Sequence, residues 1–464
     1  GNKDVQQKES RMTNIAEVDG FLKAAGLPSE EQLDSFRRSK LDISNRKRTR
    51  PAVPTVNDKF RKHPGKHDVV ISPIREEFLR AMEYLNSSDD RVLSGGRIFF
   101  NCPDPKQTYR IYLDDLVLIN NKAWPDKRNW NQKFSIVAPH ANVTFLPTER
   151  YAAKCRGLFR ANHAADVYMY GLTFMNASVN SDTCAREEYG SKWNTMTVED
   201  RKTAVAQYGG AAYQQRKGPR NGRPITFQRT AFLNNHVTSS EARGGGAINT
   251  LGTHMEVWDS IFVGNSGAAG GAIAGKQIKL YLFSSNFVGN WSTGGRDSHQ
   301  LVANGGALRC DGIKLGHICG CYFRENFIKP VERMKGTAAT LYGAREPEGD
   351  ILVEHCRFHL NGTTGCKETE CILNLVGDMN IIVRDTVFDE NRVGSDKPNK
   401  AVVVAFVGGG FDINFRGVNF VGNQYQAGYP GKSIRLKRKD SGGHCTVTNC
   451  FEDRKPLEGL GFSK

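Results

Sequence analysis

Apolar and polar residues alternate in short runs from about residue 94 to residue 425, and the runs recur in a fixed form. Each has an alternating apolar strand, a small residue, one variable residue, Phe, two further residues and Asn. The form appears as Thr230-Ala231-Phe232-Leu233-Asn234-Asn235, Ser260-Ile261-Phe262-Val263-Gly264-Asn265 and Ser285-Asn286-Phe287-Val288-Gly289-Asn290. It returns around Phe323, Phe358, Phe388 and Phe420, with Phe-to-Phe spacings of 30, 25, 36, 35, 30 and 32 residues. A second element lies between: Gly245-Gly246-Ala247-Ile248, Gly270-Gly271-Ala272-Ile273 and Gly305-Gly306-Ala307-Leu308. One such unit cannot bury its own apolar face, but stacked units can, each strand pairing with its equivalent in the coils above and below. Phe then forms an interior ladder. Asn suits a tight turn and bonds the next coil. The small residues Thr230, Ser260, Ser285, Cys321, Cys356 and Thr386 form an inward column. Glycine pairs and β-branched alternation disfavour a helical repeat. The pattern predicts an all-β chain, a right-handed parallel β-helix.

Outside the repeat the pattern changes. Residues 1–43 carry mixed apolar and charged positions interrupted by Pro28 and read as a helical N-terminal extension. Residues 44–72 hold Pro51, Pro54 and Pro64 among basic residues and read as a linker. Residues 73–93 contain a capping helix opened by Pro73, with Ile74, Phe78, Leu79, Met82 and Leu85 at helical spacing. Its expected role is to cover the open strand edges at the end of the stack. Residues 178–226 interrupt the β-helix as an insertion, helical over Thr197–Gln207. Residues 426–464 read as a C-terminal tail or cap.

Composition is that of a globular chain: 464 residues, 39% hydrophobic and 24% charged, with 48 Gly. No apolar run reaches the ~18 residues that span a bilayer, so no transmembrane segment is expected. The net charge of +15 favours acidic partners. Eleven cysteines are present; Cys366 with Cys371, and Cys445 with Cys450, are spaced to close small disulfides. No Cys-x-x-Cys pair or His/Cys cluster has zinc spacing, Cys319-Gly320-Cys321 being too tight, so neither a metal nor another cofactor is expected. Glycosylation sequons stand at Asn86, Asn142, Asn176, Asn290 and Asn361, in keeping with a secreted or cell-surface protein.

The Gly-Gly-Ala-Ile/Leu and Phe-x-x-Asn elements resemble the repeats of chlamydial-type polymorphic outer-membrane proteins. More broadly they resemble the pectin-lyase-like β-helix superfamily, as do Gly95-Gly96-Arg97-Ile98-Phe99-Phe100 and the run Val167–Asn176. Only three Gly-Gly-Ala elements occur and no outer-membrane barrel follows, so an autotransported adhesin is not expected. The resemblance implies a groove along one sheet face that handles polysaccharide. Hydrolysis there needs two carboxylates and uronate cleavage needs a base with charge stabilisation. The paired-Asp set of polygalacturonase-like hydrolases is absent. Gly316-His317 lacks the following Gly, and Arg435-Leu436-Lys437 matches that family only as an isolated tripeptide. Glu256-Val257-Trp258-Asp259 resembles a pectate-lyase strand without its calcium carboxylates.

Two constellations remain. Asp259, His355 and Asp385 each lie three residues before their coil's Phe and share one column, the best candidates for catalysis. Trp124, Lys127, Arg128 and Trp130 cluster aromatic and cationic groups, as a ligand-binding patch would. The expected function is binding of an anionic polysaccharide or glycan in a structural or adhesive role, with nucleic acid not the expected partner. Alternatives are a polysaccharide lyase, hydrolase or epimerase, or a subunit of a larger extracellular or viral assembly docked through its basic residues 1–70.

Overall fold

The computed structural model describes residues 63–87, 96–120, 133–162, 166–215 and 224–457. Within the last span, short segments at 242–243, 253, 298–299, 330–334, 339–340, 363–370, 378, 395–401, 409–411, 426–431 and 439–443 are left aside. The expected helix over 1–43 and most of the basic linker lie outside these residues.

The chain is an all-β solenoid of stacked parallel sheets. One coil shows the plan. Ile248–Leu251 and His254–Trp258 join the large sheet, Ile261–Val263 joins a second, and Ser266–Gly267 a third. The chain then returns to the large sheet at Ile273–Lys276, one level on. The large sheet has 20 strands and the second has 12.

The Phe column is the interior ladder. Phe232, Phe262, Phe287, Phe323, Phe358, Phe388 and Phe420 pair in register from coil to coil. Their rings stack at 4.7, 4.6, 5.0, 4.7, 4.6 and 5.2 Å between centroids. The small-residue column has a second purpose beside size. Ser260 Oγ donates to Trp258 O (2.7 Å), Ser285 Oγ to Phe283 O (2.9 Å) and Thr386 Oγ1 to Arg384 O (2.8 Å). Cys356 Sγ does the same toward Glu354 O at 3.1 Å. A short side chain with one donor closes this turn, which is why Cys can stand in for Ser or Thr.

The Asn column is an unbroken ladder. Asn235, Asn265, Asn290, Asn326 and Asn361 each send a backbone N–H and the Nδ2 group to Oδ1 of the next Asn, at 2.9–3.1 Å. Each Nδ2 also reaches back to a Phe carbonyl, as from Asn326 to Phe287 at 2.8 Å. The left-handed backbone expected at Asn falls one residue earlier, at Asn234, Gly264, Gly289, Glu325, Leu360 and Glu390. That residue turns the chain and frees Asn to bond between coils.

The Gly-Gly-Ala elements hold the other end of the short third sheet, where the chain returns to the large sheet. A Cβ on Gly271 would meet the Gly306 carbonyl oxygen, so neighbouring coils touch there backbone to backbone.

Both ends run beyond their expected limits. Val69–Ile71 pairs with Ile98–Phe100, so a strand precedes the capping helix. That helix, Arg75–Leu85, buries Phe78, Ala81, Met82 and Leu85, and Phe78 stands 4.8 Å from Phe145. Ile74 and Leu79, expected on its buried face, are 49% and 36% exposed. At the other end Lys432–Arg438, Cys445–Thr448 and Phe451–Glu452 continue the ladders past residue 425. Phe451–Glu452 then pairs antiparallel with Lys455–Pro456.

Candidate functional site

The insertion begins after Ser178–Asn180, which still pairs in the stack, and ends before Tyr213–Gln215, which pairs on both sides. Between them lie the helices Ser181–Tyr189 and Val198–Val205, joined by a 3-10 turn over Gly190–Thr195. Asn180 caps the first through its side chain, and Thr197 caps the second.

The end of the second helix overhangs the outer face of the large sheet and encloses a cleft of about 410 Å³. Strand alternation supplies the floor. Asn249, Ala274 and Arg309 share one register row, and Leu251, Lys276 and Asp311 share the next, across three coils. All six line the cleft, with Thr203 and Gln207 on the helix side. Ala274 leaves depth between the longer Asn249 and Arg309. Arg309 is held flat by Asp311, its Nε 3.3 Å from Oδ1 and its Nη2 3.1 Å from Oδ2.

Asn249 differs from these. It is 4% exposed, and its Nδ2 has no hydrogen-bond partner. Gln214, its register neighbour one coil back, is 5% exposed, and its Nε2 is equally without one. A buried amide donor left unpaired costs about 1–3 kcal/mol. Gly209 packs against the Asn249 side chain so closely that a Cβ there would meet Cγ, which fixes the amide from behind. The arrangement offers a fixed neutral donor, a fixed guanidinium and the exposed ammonium of Lys276, with Asp311 as acceptor. Such a set recognises a polar, oxygen-rich ligand carrying negative charge.

The candidates expected for catalysis fall elsewhere. Asp259, Ser284, Gly320, His355, Asp385 and Gly417 form one column with φ of 46, 50, 63, 51, 48 and 64°. The position is a left-handed turn between two sheets, tolerant of any residue that can adopt that backbone. His355 and Asp385 lie on adjacent coils, with His355 N donating to Arg384 O at 3.2 Å. Asp259 and Asp385 are four coils apart, ~19 Å at the strand spacing. Paired glycosidase carboxylates stand about 5–9.5 Å apart, so this column does not bring two acids to one bond. Trp124, Lys127, Arg128 and Trp130 lie outside the described residues.

Other expectations are corrected by burial. Asn290 and Asn361 are fully buried ladder members, and Asn142 is 6% exposed with its Nδ2 donated to Gln107 O at 2.8 Å. The folded chain has no room for a glycan at these three. Asn86 ends the capping helix and donates to Leu118 O, and Asn176 is exposed on a turn. Cys445 and Cys450 are free thiols; Cys371 is buried, and its expected partner Cys366 is outside the described residues. Cys450 occupies the small-residue position of its coil and donates to Thr448 O at 3.4 Å, while Cys445 begins the preceding strand. Burial raises the thiol of Cys445 to about 11.

The cleft itself was not read from the sequence. Its residues come from four separate stretches, and no local spacing connects them. The one available signal is the excess of polar residues at outward positions of otherwise apolar strands, such as Asn249 and Arg309.

No family model matches the chain, and no curated protein matches it. Among solved structures it is similar to the crystal structure of PfbA, a surface adhesin of Streptococcus pneumoniae. The identity is 11% and the TM-score 0.30, over 79% of this chain and 92% of that one. A likeness at that score transfers no function.

Proposed function

We propose that this protein is a β-solenoid that binds an anionic polysaccharide, without cleaving it, in the cleft between the insertion and the outer sheet face. The observation that carries the reading is the unpartnered, buried Asn249 amide beside Arg309 and Lys276. A sugar carboxylate or sulfate sits against the Lys276 and Arg309 charges while a neighbouring hydroxyl accepts from Asn249 Nδ2. The net charge of +15 draws such a polymer in from a distance. The rigid stack presents the cleft with little ordering cost on binding. The reading places the protein where such polymers lie, at a cell surface or outside the cell; among the described residues no helix is long and apolar enough to cross a membrane.

The test is chromatography of a panel of anionic polysaccharides with the full chain, following both protein and polymer size. Co-elution without shortening is expected, weakened about tenfold in Asn249→Leu, the scale of one lost hydrogen bond. Shortened polymer would make the protein an enzyme. Separate elution with every polymer would remove the reading.

A further inference from the structure

We propose that His317, Cys319 and Glu354 form a divalent-cation site, best suited to zinc, on the outer face of the large sheet. The residues meet through two rules of β structure. His317 and Cys319 are two apart in the strand Leu308–Cys319 and therefore share a face. Glu354 is the register partner of Cys319 on the next coil, in the strand Leu341–Glu354. The imidazole nitrogen, the sulfur and a carboxylate oxygen all lie within 4.8 Å of one another. A set of one nitrogen, one sulfur and one oxygen donor suits zinc, which accepts all three, better than calcium or magnesium, which require oxygen.

The surroundings are those of a held ligand set. Glu354 is completely buried. Its Oε1 lies 2.8 Å from His317 Nε2, and its Oε2 accepts from Arg384 Nε, the register partner one coil further on. An outer partner of this kind fixes the orientation of a carboxylate ligand. A cysteine ligates zinc as the thiolate, and the ion supplies the positive charge beside the sulfur that stabilises that form.

The binding step balances. Nε2 of His317 ligates only without a hydrogen, so the hydrogen it shares with Glu354 Oε1 leaves through solvent, the neutral ring keeps its hydrogen on Nδ1, and Nε2 and Oε1 turn from each other to the ion. The Cys319 S–H bond breaks, its electron pair goes to the ion and its proton to solvent. Thiolate and carboxylate together neutralise a divalent ion, and Arg384 stays on Oε2. A water takes the fourth tetrahedral position, on the outer side where the His317 side chain is 14% exposed.

Cobalt(II) titration of the full chain tests this, because a thiolate bound to cobalt gives a charge-transfer absorption that nitrogen and oxygen ligands do not. One equivalent should produce the band, and zinc should displace it. Cys319→Ser should abolish it while circular dichroism shows the fold retained. Arg384→Gln should weaken cobalt binding about 10–100-fold, the usual cost of losing an outer partner, and His317→Asn should weaken it further. Absence of the band, or a band that survives Cys319→Ser, overturns the site. Should Cys319→Ser fail to fold, a band unchanged in His317→Asn overturns it equally.

Discussion

The Asn corner and the insertion-covered face belong to the same coils, yet they treat buried amides in opposite ways. At the corner Asn326 is fully buried, and its side chain exchanges bonds with Asn290, Asn361 and the Phe287 carbonyl at 2.8–3.1 Å. At the face Asn249 is almost as buried, and its Nδ2 has no partner. A buried polar group stabilises a fold only when its bonds are made. The corner is therefore a staple that holds coils in register. The face is a place where the fold accepts a cost, and an amide kept there at a cost is best explained by a ligand that completes it.

The strongest test of this contrast starts in the corner's apolar lining. Phe323 lies 5.0 Å from Phe287 and 4.7 Å from Phe358, and no part of it is exposed. Phe323→Ala should cost about 3–5 kcal/mol, read as a lowered denaturant midpoint. A change near zero would place the ring outside the core. Asn326→Ala comes next. It strands the Asn290 N–H and the Phe287 carbonyl, and should cost about 1–3 kcal/mol in the same measurement.

The third test moves to a paired group on the outer face. Burial alone would raise the Glu354 carboxyl, but the His317 bond and charge and the Arg384 guanidinium outweigh it and hold the group below its ordinary value. With the folded value below the unfolded one, its contribution is fully present above the ordinary value near 4.5 and fades as pH falls through the folded value. The stability gap between the native chain and Glu354→Gln should therefore narrow steadily on acidification below that pH. A gap independent of pH would mean that the carboxylate charge contributes nothing.

Asn249→Leu should then separate the two regions outright. Removing an unpaired buried amide should leave stability unchanged or raise it by up to about 1–3 kcal/mol, while polysaccharide retention falls. A large destabilisation would show that Asn249 belongs with the corner, as a structural amide. The smallest effect belongs to the turn column. Asp259→Asn keeps a residue at ease with φ of 46° and should stay within about 0.5 kcal/mol, with unchanged retention. Lost retention would move the site to that column.

Much of the fold was legible because each coil repeats the same local requirements. Phe at the core, a short donor two residues before it and Asn three residues after it recur at the same offsets, and stacking multiplies their signal. The left-handed column is legible for the same reason. Asp259, His355 and Asp385 resemble an acid–base set in sequence, whereas their shared property is a positive φ that Ser284, Gly320 and Gly417 satisfy without any chemistry. The capping helix was readable from Phe78, Met82 and Leu85, but not which flank it would expose, since that depends on its docking against Phe100 and Phe145.

By itself the sequence determined the solenoid and the Phe and Asn ladders, because these follow from periodicity within and between adjacent coils. Tertiary structure alone decided which outward residues meet. Asn249, Lys276 and Arg309 come together because coils of 25 and 35 residues happen to end in register. Glu354 meets Cys319 across 35 residues for the same reason. Coil length varies freely in the loops, so it leaves no spacing rule on the outer face. Only the main-chain hydrogen bonds between coils convert those lengths into neighbours.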